Sequence, residues 1–96
     1  MHGLIGRMKA KPGQRDALAA AILEGSGAMP GCRSYVVAHD AADPDAIWIT
    51  EGWDDAAAHE ASLELPAVRA AIARAMPLIA DFGPSTTTVP VGGTDL

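Results

Sequence analysis

The sequence has little cysteine and few aromatic residues: one Cys, two Trp, one Tyr and one Phe in 96 residues. A lone cysteine, Cys32, cannot form an internal disulfide, so a structure held together by disulfides is excluded. No apolar run approaches the roughly 20 residues of a membrane span, and no secretory signal follows Met1. We therefore expect a cytoplasmic protein of one domain that does not associate with a membrane.

Positive charge is also scarce, with seven Lys and Arg against twelve Asp and Glu, a formal net charge of −5. No basic cluster is present, which argues against nucleic acid and anionic lipid as partners. The sequence lacks a glycine-rich phosphate loop, a serine nucleophile elbow and a Cys or His pair at metal-ligand spacing. We therefore expect neither a metal nor a cofactor.

A hairpin forms the centre of the chain. The runs Cys32–His39 and Ile47–Trp53 are rich in β-branched and aromatic residues, and residues 40–45, which include Pro44, separate them. These features predict two antiparallel strands in the middle of a sheet. A two-residue period places alternate residues of the second strand on one face. That face carries Ile47, Ile49, Glu51 and Trp53, and the other carries Trp48, Thr50 and Gly52.

The remaining elements follow from apolar periodicity and from breaker residues. We predict a strand over His2–Ala10, a helix over 14–24, a short helix after Asp54 or Asp55 that ends near Leu63, and a helix led by Pro66 and broken near Pro77. A turn at Gly83-Pro84 should precede a last strand over Ser85–Val91, and residues 92–96 should be a flexible tail.

This order, β-α-β-β-α-(α)-β, predicts an α+β ferredoxin-like fold with four antiparallel strands and helices on one face. The sheet face that carries Trp48 and Thr50 then has no helix to cover it. Because a large exposed apolar face usually marks an interface, we expect a homodimer that packs sheet to sheet.

Four short segments follow one another along the chain: Pro30-Gly-Cys-x-x-Tyr35, the Asp43-Pro44 loop, Glu51-x-Trp53 with the Ala-rich helix after it, and a Pro-led helix ending in Met76-Pro-Leu-Ile. In this order they resemble the antibiotic biosynthesis monooxygenase domain. The resemblance covers nearly the whole chain and places the domain at residues 1–91. It implies a dimeric ferredoxin-like barrel, since members of that family form such dimers.

The resemblance also implies a function. Characterised members include cofactor-independent oxygenases of anthrone- or quinol-type aromatics, so we expect a small electron-rich aromatic substrate and dioxygen as partners. Such chemistry requires only a pocket with aromatic walls and one base. The alternative is a dimeric module that binds a small aromatic or apolar ligand without catalysis.

Two residues are the candidates for catalysis. The resemblance implies that Trp53 lines a cavity and stacks on the substrate, although it can equally serve as a core residue packed against Ile72 and Met76. His59 is the one histidine expected on a helix at that cavity, and it is our candidate proton acceptor. A histidine with only a structural role is the alternative.

Five further residues are candidates for substrate binding: Tyr35, Glu51, Arg69, Ile72 and Met76. Each has a simpler explanation, because Tyr35 can be a cross-strand packing residue and Arg69 a surface charge. Glu51 can pair with an arginine or with backbone amides instead of acting as a base.

The chain departs from the family at four positions. Many members carry a histidine where this sequence has Ser62 and another where it has Ala67, so a base at either position is absent. The haem-degrading branch uses a histidine and an asparagine where approximate alignment places Ile72 and Gly6. Haem degradation is therefore disfavoured.

Overall fold

The computed structural model describes residues 1–94 and 96, and its elements follow the predicted order. The strands and helices are β1 (His2–Ala10), α1 (Arg15–Gly25), β2 (Cys32–His39), β3 (Ala46–Trp53), α2 (Ala56–Ser62), α3 (Pro66–Ala75) and β4 (Ile79–Thr88), with one 3-10 turn at Met76–Leu78 before β4. No helix among these residues is long and apolar enough to cross a membrane.

The four strands form one antiparallel sheet in the order β2-β3-β1-β4, and the ferredoxin-like prediction is confirmed. In the register, Glu51 of β3 lies opposite Tyr35 of β2 and Leu4 of β1. These residues therefore share the sheet face that also carries Ile49 and Trp53. We call this the helix-side face, and the one that carries Trp48 and Thr50 the open face.

The core lies between the helix-side face and two helices. Leu18 of α1 and Ile47 of β3 are fully buried, and Ala75 of α3 packs with them. Helices α1 and α3 approach closely at Gly25, where an added Cβ would lie 2.5 Å from the Cβ of Ala71. Only glycine allows this approach, which closes one end of the helical layer.

Helices α2 and α3 begin where their residues predict. Asp55 has an extended backbone and its Oδ1 accepts a hydrogen bond from the Ala58 amide at 2.7 Å, which makes it the N-cap of α2. Pro66 opens α3, where its missing N–H costs no hydrogen bond. Both helix starts are confirmed.

The last strand corrects the sequence prediction. It begins at Ile79, before the predicted start at Ser85, and ends at Thr88. The predicted turn at Gly83-Pro84 is wrong because these residues lie inside the strand. Met8 of β1 pairs with Phe82 of β4, and Gly6 pairs with Ser85. β4 thus has one more residue than β1 between these two pairs, which makes a β-bulge. Since β4 is an edge strand, the bulge accommodates a proline without loss of a ladder bond.

The open face carries a charged cluster at its hairpin end. We define the loop cluster as Arg7, Lys9, Asp40, Asp43 and Trp48. Asp43 Oδ2 lies 2.9 Å from Arg7 Nη2 and 3.2 Å from Lys9 Nζ. Asp40 Oδ2 accepts a hydrogen bond from Trp48 Nε1 at 2.8 Å. These contacts fix the β2–β3 loop over the sheet and cover part of Trp48.

Away from the loop cluster, the chain covers the open face at Gly3 and Gly52 and leaves the middle of this face exposed. Thr50 and Val36 lie opposite each other in the register and both are exposed. The side chain of Leu96 lies over Gly52. The predicted flexible tail of residues 92–96 includes Asp95, which lies outside the described residues.

Candidate functional site

A cavity of about 390 Å³ separates the helix-side face of the sheet from α2 and α3. Most of its wall is apolar and comes from the sheet and from all three helices. Polar groups enter it from β2, β3, α2 and the segment that follows α1. The lining residues are Met8, Ile22, Gly25, Ser26, Met29, Tyr35, Ile49, Glu51, Trp53, His59, Ser62, Leu63, Val68, Ala71, Ile72, Ala75, Met76, Ile79 and Phe82.

Trp53 and Glu51 form the floor of the cavity at the end of β3. They are two residues apart on one strand, so their side chains point to the same face. Trp53 is 1% exposed, and its Nε1 donates a hydrogen bond to Glu51 Oε1 at 3.0 Å. The indole is thus both core and cavity wall, and its N–H holds the carboxylate in place.

His59 enters the cavity from α2, the helix that Asp55 caps. Its ring meets the Trp53 indole edge to face, with centroids 5.3 Å apart and planes at 63°. Its Nε2 lies 3.8 Å from Glu51 Oε1, which is too long for a hydrogen bond but close enough for an ion pair when the imidazole is protonated. A proton accepted by His59 would therefore be stabilised by Glu51.

Ser62 fixes the carbonyl end of α2 beside His59. Its side chain is buried, and its Oγ donates to the His59 carbonyl at 2.6 Å. The hydroxyl therefore has a backbone partner one turn back along the helix. Ser62 borders the cavity, but its hydroxyl is not a base.

Tyr35 faces Glu51 across the hairpin. Burial, and then the negative charge of Glu51, raise the pKa of the Tyr35 hydroxyl far above its ordinary value. The phenol stays protonated and is available as a hydrogen-bond donor to a ligand. Burial likewise raises the pKa of the Cys32 thiol, so this cysteine is not activated as a nucleophile.

Comparison with known proteins fixes the family. A family model described as antibiotic biosynthesis monooxygenase matches residues 1–74, more than three quarters of the chain. The chain belongs to this family. The match spans β1 to α3 and includes Tyr35, Glu51, Trp53 and His59.

Solved structures agree with the family match. A candidate antibiotic biosynthesis monooxygenase from Chloroflexus aurantiacus is 62% identical, with a TM-score of 0.94, and the alignment covers 96% of this chain and 94% of that one. A second, from Deinococcus radiodurans, is 26% identical at a TM-score of 0.77 over 100% and 98% of the two chains. A third, from Nitrosomonas europaea, is 18% identical at 0.77 over 98% and 99%, and shows the fold alone. No curated protein matches the chain.

In this family member, six of the seven predicted site residues line the cavity. Ile72 and Met76 lie with Leu63 and Phe82 at its rim, where all four apolar side chains are partly exposed. Arg69 is the exception, because its side chain is 65% exposed and pairs with Glu64 at 2.8 Å. The expected contact between Arg69 and a substrate has no support from this position.

The sequence did not predict several of the residues that line the cavity. Phe82 was expected before a turn, but the early start of β4 brings it to the rim. Met8 faces the cavity because β1 alternates in phase with β3, a signal that the predicted strand already contained. The fold also brings together two histidines that are far apart in sequence, since the ring centroid of His2 in β1 lies 5.9 Å from that of His59.

The described residues include no group of three or more His, Cys, Asp and Glu side chains that could hold a metal ion. The side chains that the cavity brings together are an indole wall from Trp53, the imidazole of His59, the carboxylate of Glu51 and the phenol of Tyr35. An imidazole and a carboxylate are groups that can take part in proton transfer, and a phenol can donate a hydrogen bond.

Proposed function

We propose that the protein is a cofactor-independent monooxygenase that oxidises an electron-rich aromatic, such as a quinol, an anthrone or a polycyclic phenol, with dioxygen. The observation that carries the proposal is the position of His59, which lies in an apolar cavity against Trp53 and 3.8 Å from the Glu51 carboxylate. Membership of the antibiotic biosynthesis monooxygenase family supports the same reaction class.

The proposed reaction requires little of the protein. His59 takes a proton from the bound aromatic, and the resulting electron-rich anion transfers electrons to dioxygen. For an anthrone, the methylene carbon loses two hydrogens and gains one oxygen atom, and the second oxygen leaves with those hydrogens as water. The substrate supplies all the electrons, so no external reductant enters the balance. The apolar wall keeps water away from the reacting atoms.

Oxygen uptake by metal-stripped protein tests this function, with a panel of anthrones and hydroquinones and a blank without protein. We expect uptake above the blank, no oxygen returned on addition of catalase, and one labelled atom in the product when the dioxygen is isotopically labelled. His59→Ala should lower kcat by about 100-fold, since a general base contributes at least that much. His39→Ala is the matched control, because His39 is exposed and lies outside the cavity.

Two outcomes contradict the proposal. Uptake that is equal in His59→Ala and the unchanged protein would remove the base from the mechanism. No uptake over the whole panel, from folded protein that still binds the aromatics, would instead indicate a ligand-binding module.

We also propose that two copies pair through their open faces. The support is the exposed patch around Thr50, which lies between Ile5 of β1 and Val36 of β2 in the register. Because Thr50 is exposed at the centre of the sheet, Thr50→Arg should disrupt a dimer without unfolding the subunit. Light scattering at micromolar concentration should give a dimer mass for the unchanged protein and a monomer mass for the variant. A monomer mass for both would contradict the pairing.

A further inference from the structure

Among the described residues that line the cavity, Glu51 is the one Asp or Glu, and none is Lys or Arg. Two arginines on elements that wall the cavity pair with other carboxylates. Arg69 pairs with Glu64 on the outer side of α3, and Arg7 is held by Asp43 in the loop cluster.

Glu51 is partly buried and retains capacity for a further hydrogen-bond donor. Its side chain is 15% exposed, and among the described residues its hydrogen bond comes from Trp53 alone, on Oε1. His59 faces the same oxygen at 3.8 Å, beyond hydrogen-bond range. A carboxylate in such surroundings normally accepts two or three hydrogen bonds, so this one retains capacity for a donor on a ligand.

From this arrangement we infer that Glu51 sets the charge preference of the cavity: it admits neutral and cationic aromatics and excludes anionic ones. A ligand with a hydroxyl or ammonium group gives the carboxylate the donor that it lacks. A ligand with a carboxylate or sulfonate brings a second negative charge into a poorly solvated wall that has no lysine or arginine to offset it. The inference rests on the proposed function for the location of the ligand, but not for its oxidation.

The expected loss of affinity for an anionic ligand follows from its distance to the Glu51 carboxylate. Two like charges about 5 Å apart near a protein surface repel strongly enough to weaken binding by at least about tenfold. The net charge of −5 repels anions too, but salt at physiological concentration screens charges farther than about 8 Å. The repulsion of an anionic ligand by Glu51 therefore persists in physiological salt, whereas the repulsion by the net charge of the protein is largely screened.

Three probes on one bicyclic frame isolate the charge: 2-naphthalenemethanol, 2-naphthoate and 2-naphthylmethylammonium. Calorimetric titration of the unchanged protein in physiological salt should give dissociation constants for the alcohol and the ammonium at least about tenfold below that for the carboxylate. This comparison requires no variant, so it stands even if a substitution at Glu51 impairs folding.

The variant Glu51→Gln then tests whether the charge of Glu51 causes the weaker binding of the carboxylate probe. The amide oxygen still accepts the Trp53 N–H, so the shape of the wall is retained while its charge is removed. In this variant, the dissociation constants of the alcohol and the carboxylate should lie within about threefold of each other, and the ammonium should no longer bind more tightly than the carboxylate. Glu60→Gln is the matched control, since Glu60 is exposed on α2 and outside the lining; it should leave the discrimination unchanged.

The outcomes separate this inference from the proposed function. Equal binding of alcohol and carboxylate, or discrimination that survives Glu51→Gln, overturns the role of Glu51 alone. Failure of all three probes to bind overturns both the ligand site and this inference. Discrimination that depends on Glu51, in a protein without oxygen uptake, supports the inference and overturns only the oxidation.

Discussion

The two tryptophans of β3 make similar hydrogen bonds on opposite faces of one sheet, with different consequences. Trp53 donates to Glu51 at 3.0 Å, and Trp48 donates to Asp40 at 2.8 Å. On the open face, Asp40 also accepts the amides of Ala42 and Asp43 and lies 3.6 Å from Arg7 Nε. On the helix-side face, Glu51 has the indole as its one hydrogen-bond donor among the described residues.

This difference distinguishes a structural carboxylate from one that can act on a ligand. Backbone amides, the Trp48 indole and Arg7 hold the pKa of Asp40 well below its ordinary value, so the carboxylate is charged at neutral pH and its hydrogen bonds are made within the loop cluster. Glu51 instead lies beside an open apolar volume with a histidine that can exchange protons. The two sites differ more in the number of hydrogen bonds that the carboxylate accepts than in how deeply the carboxylate is buried.

The largest expected effect concerns the buried tryptophan. Trp53→Ala should lower the free energy of unfolding by about 3 to 5 kcal/mol, because it removes a fully buried indole beside an existing cavity. Urea denaturation followed by circular dichroism measures this loss. Trp48→Ala is the control and should cost less, since Trp48 is only partly buried. An equal or larger loss in Trp48→Ala would contradict the assignment of the core to the helix-side face.

The loop cluster should control stability in acid. The pKa values of Asp40 and Asp43 are lowered in the folded protein from 3.8. Their stabilisation is therefore fully present above that value and is lost as the pH falls through the lowered folded-state values. Asp40→Asn should be less stable at neutral pH and should lose less stability on acidification, as measured by urea denaturation at a series of pH values.

A surface carboxylate provides the comparison for this acid effect. Glu64→Gln removes an exposed charge outside the loop cluster and should leave the acid dependence nearly unchanged. If the free energy of unfolding of Asp40→Asn depended on pH as it does in the unchanged protein, the loop cluster would not be the source of the loss of stability in acid.

The sequence predicted the parts of this comparison that depend on local chemistry. β-branched residues on either side of a Pro and Asp loop predicted both hairpin strands, and the short helix was predicted to follow Asp54 or Asp55. The period of β3 placed Glu51 and Trp53 on one face. The sequence could not predict the distance between sheet and helices, on which the cavity depends, because that distance is set by the packing of core residues far apart in sequence, such as Leu18, Ile47 and Ala75.

The errors have equally specific causes. Gly83-Pro84 has the composition of a turn, and only the edge position of β4 and a bulge allow it inside a strand. The donors to Asp40 come from β1, β3 and the loop itself, so no short sequence pattern contains the loop cluster. Arg69 was assigned to the substrate on charge alone, without a neighbour to fix its direction.

The smallest expected effect is at Arg69. Arg69→Ala should change the dissociation constant of a neutral aromatic by less than about twofold, because its exposed ion pair with Glu64 contributes little and lies outside the cavity. Calorimetric titration with 2-naphthalenemethanol measures this change. A tenfold loss of affinity would show that the ligand extends beyond the rim to the outer side of α3.

The most direct test of the cavity as the ligand site uses the two indole N–H groups as reporters. Their proton–nitrogen NMR signals can be assigned with Trp48→Phe and Trp53→Phe and followed during addition of 2-naphthalenemethanol. We expect the Trp53 signal to shift in proportion to occupancy and the Trp48 signal to stay in place. A shift confined to Trp48, or none in either signal at a concentration that saturates binding, would contradict a ligand site beside Glu51 and His59.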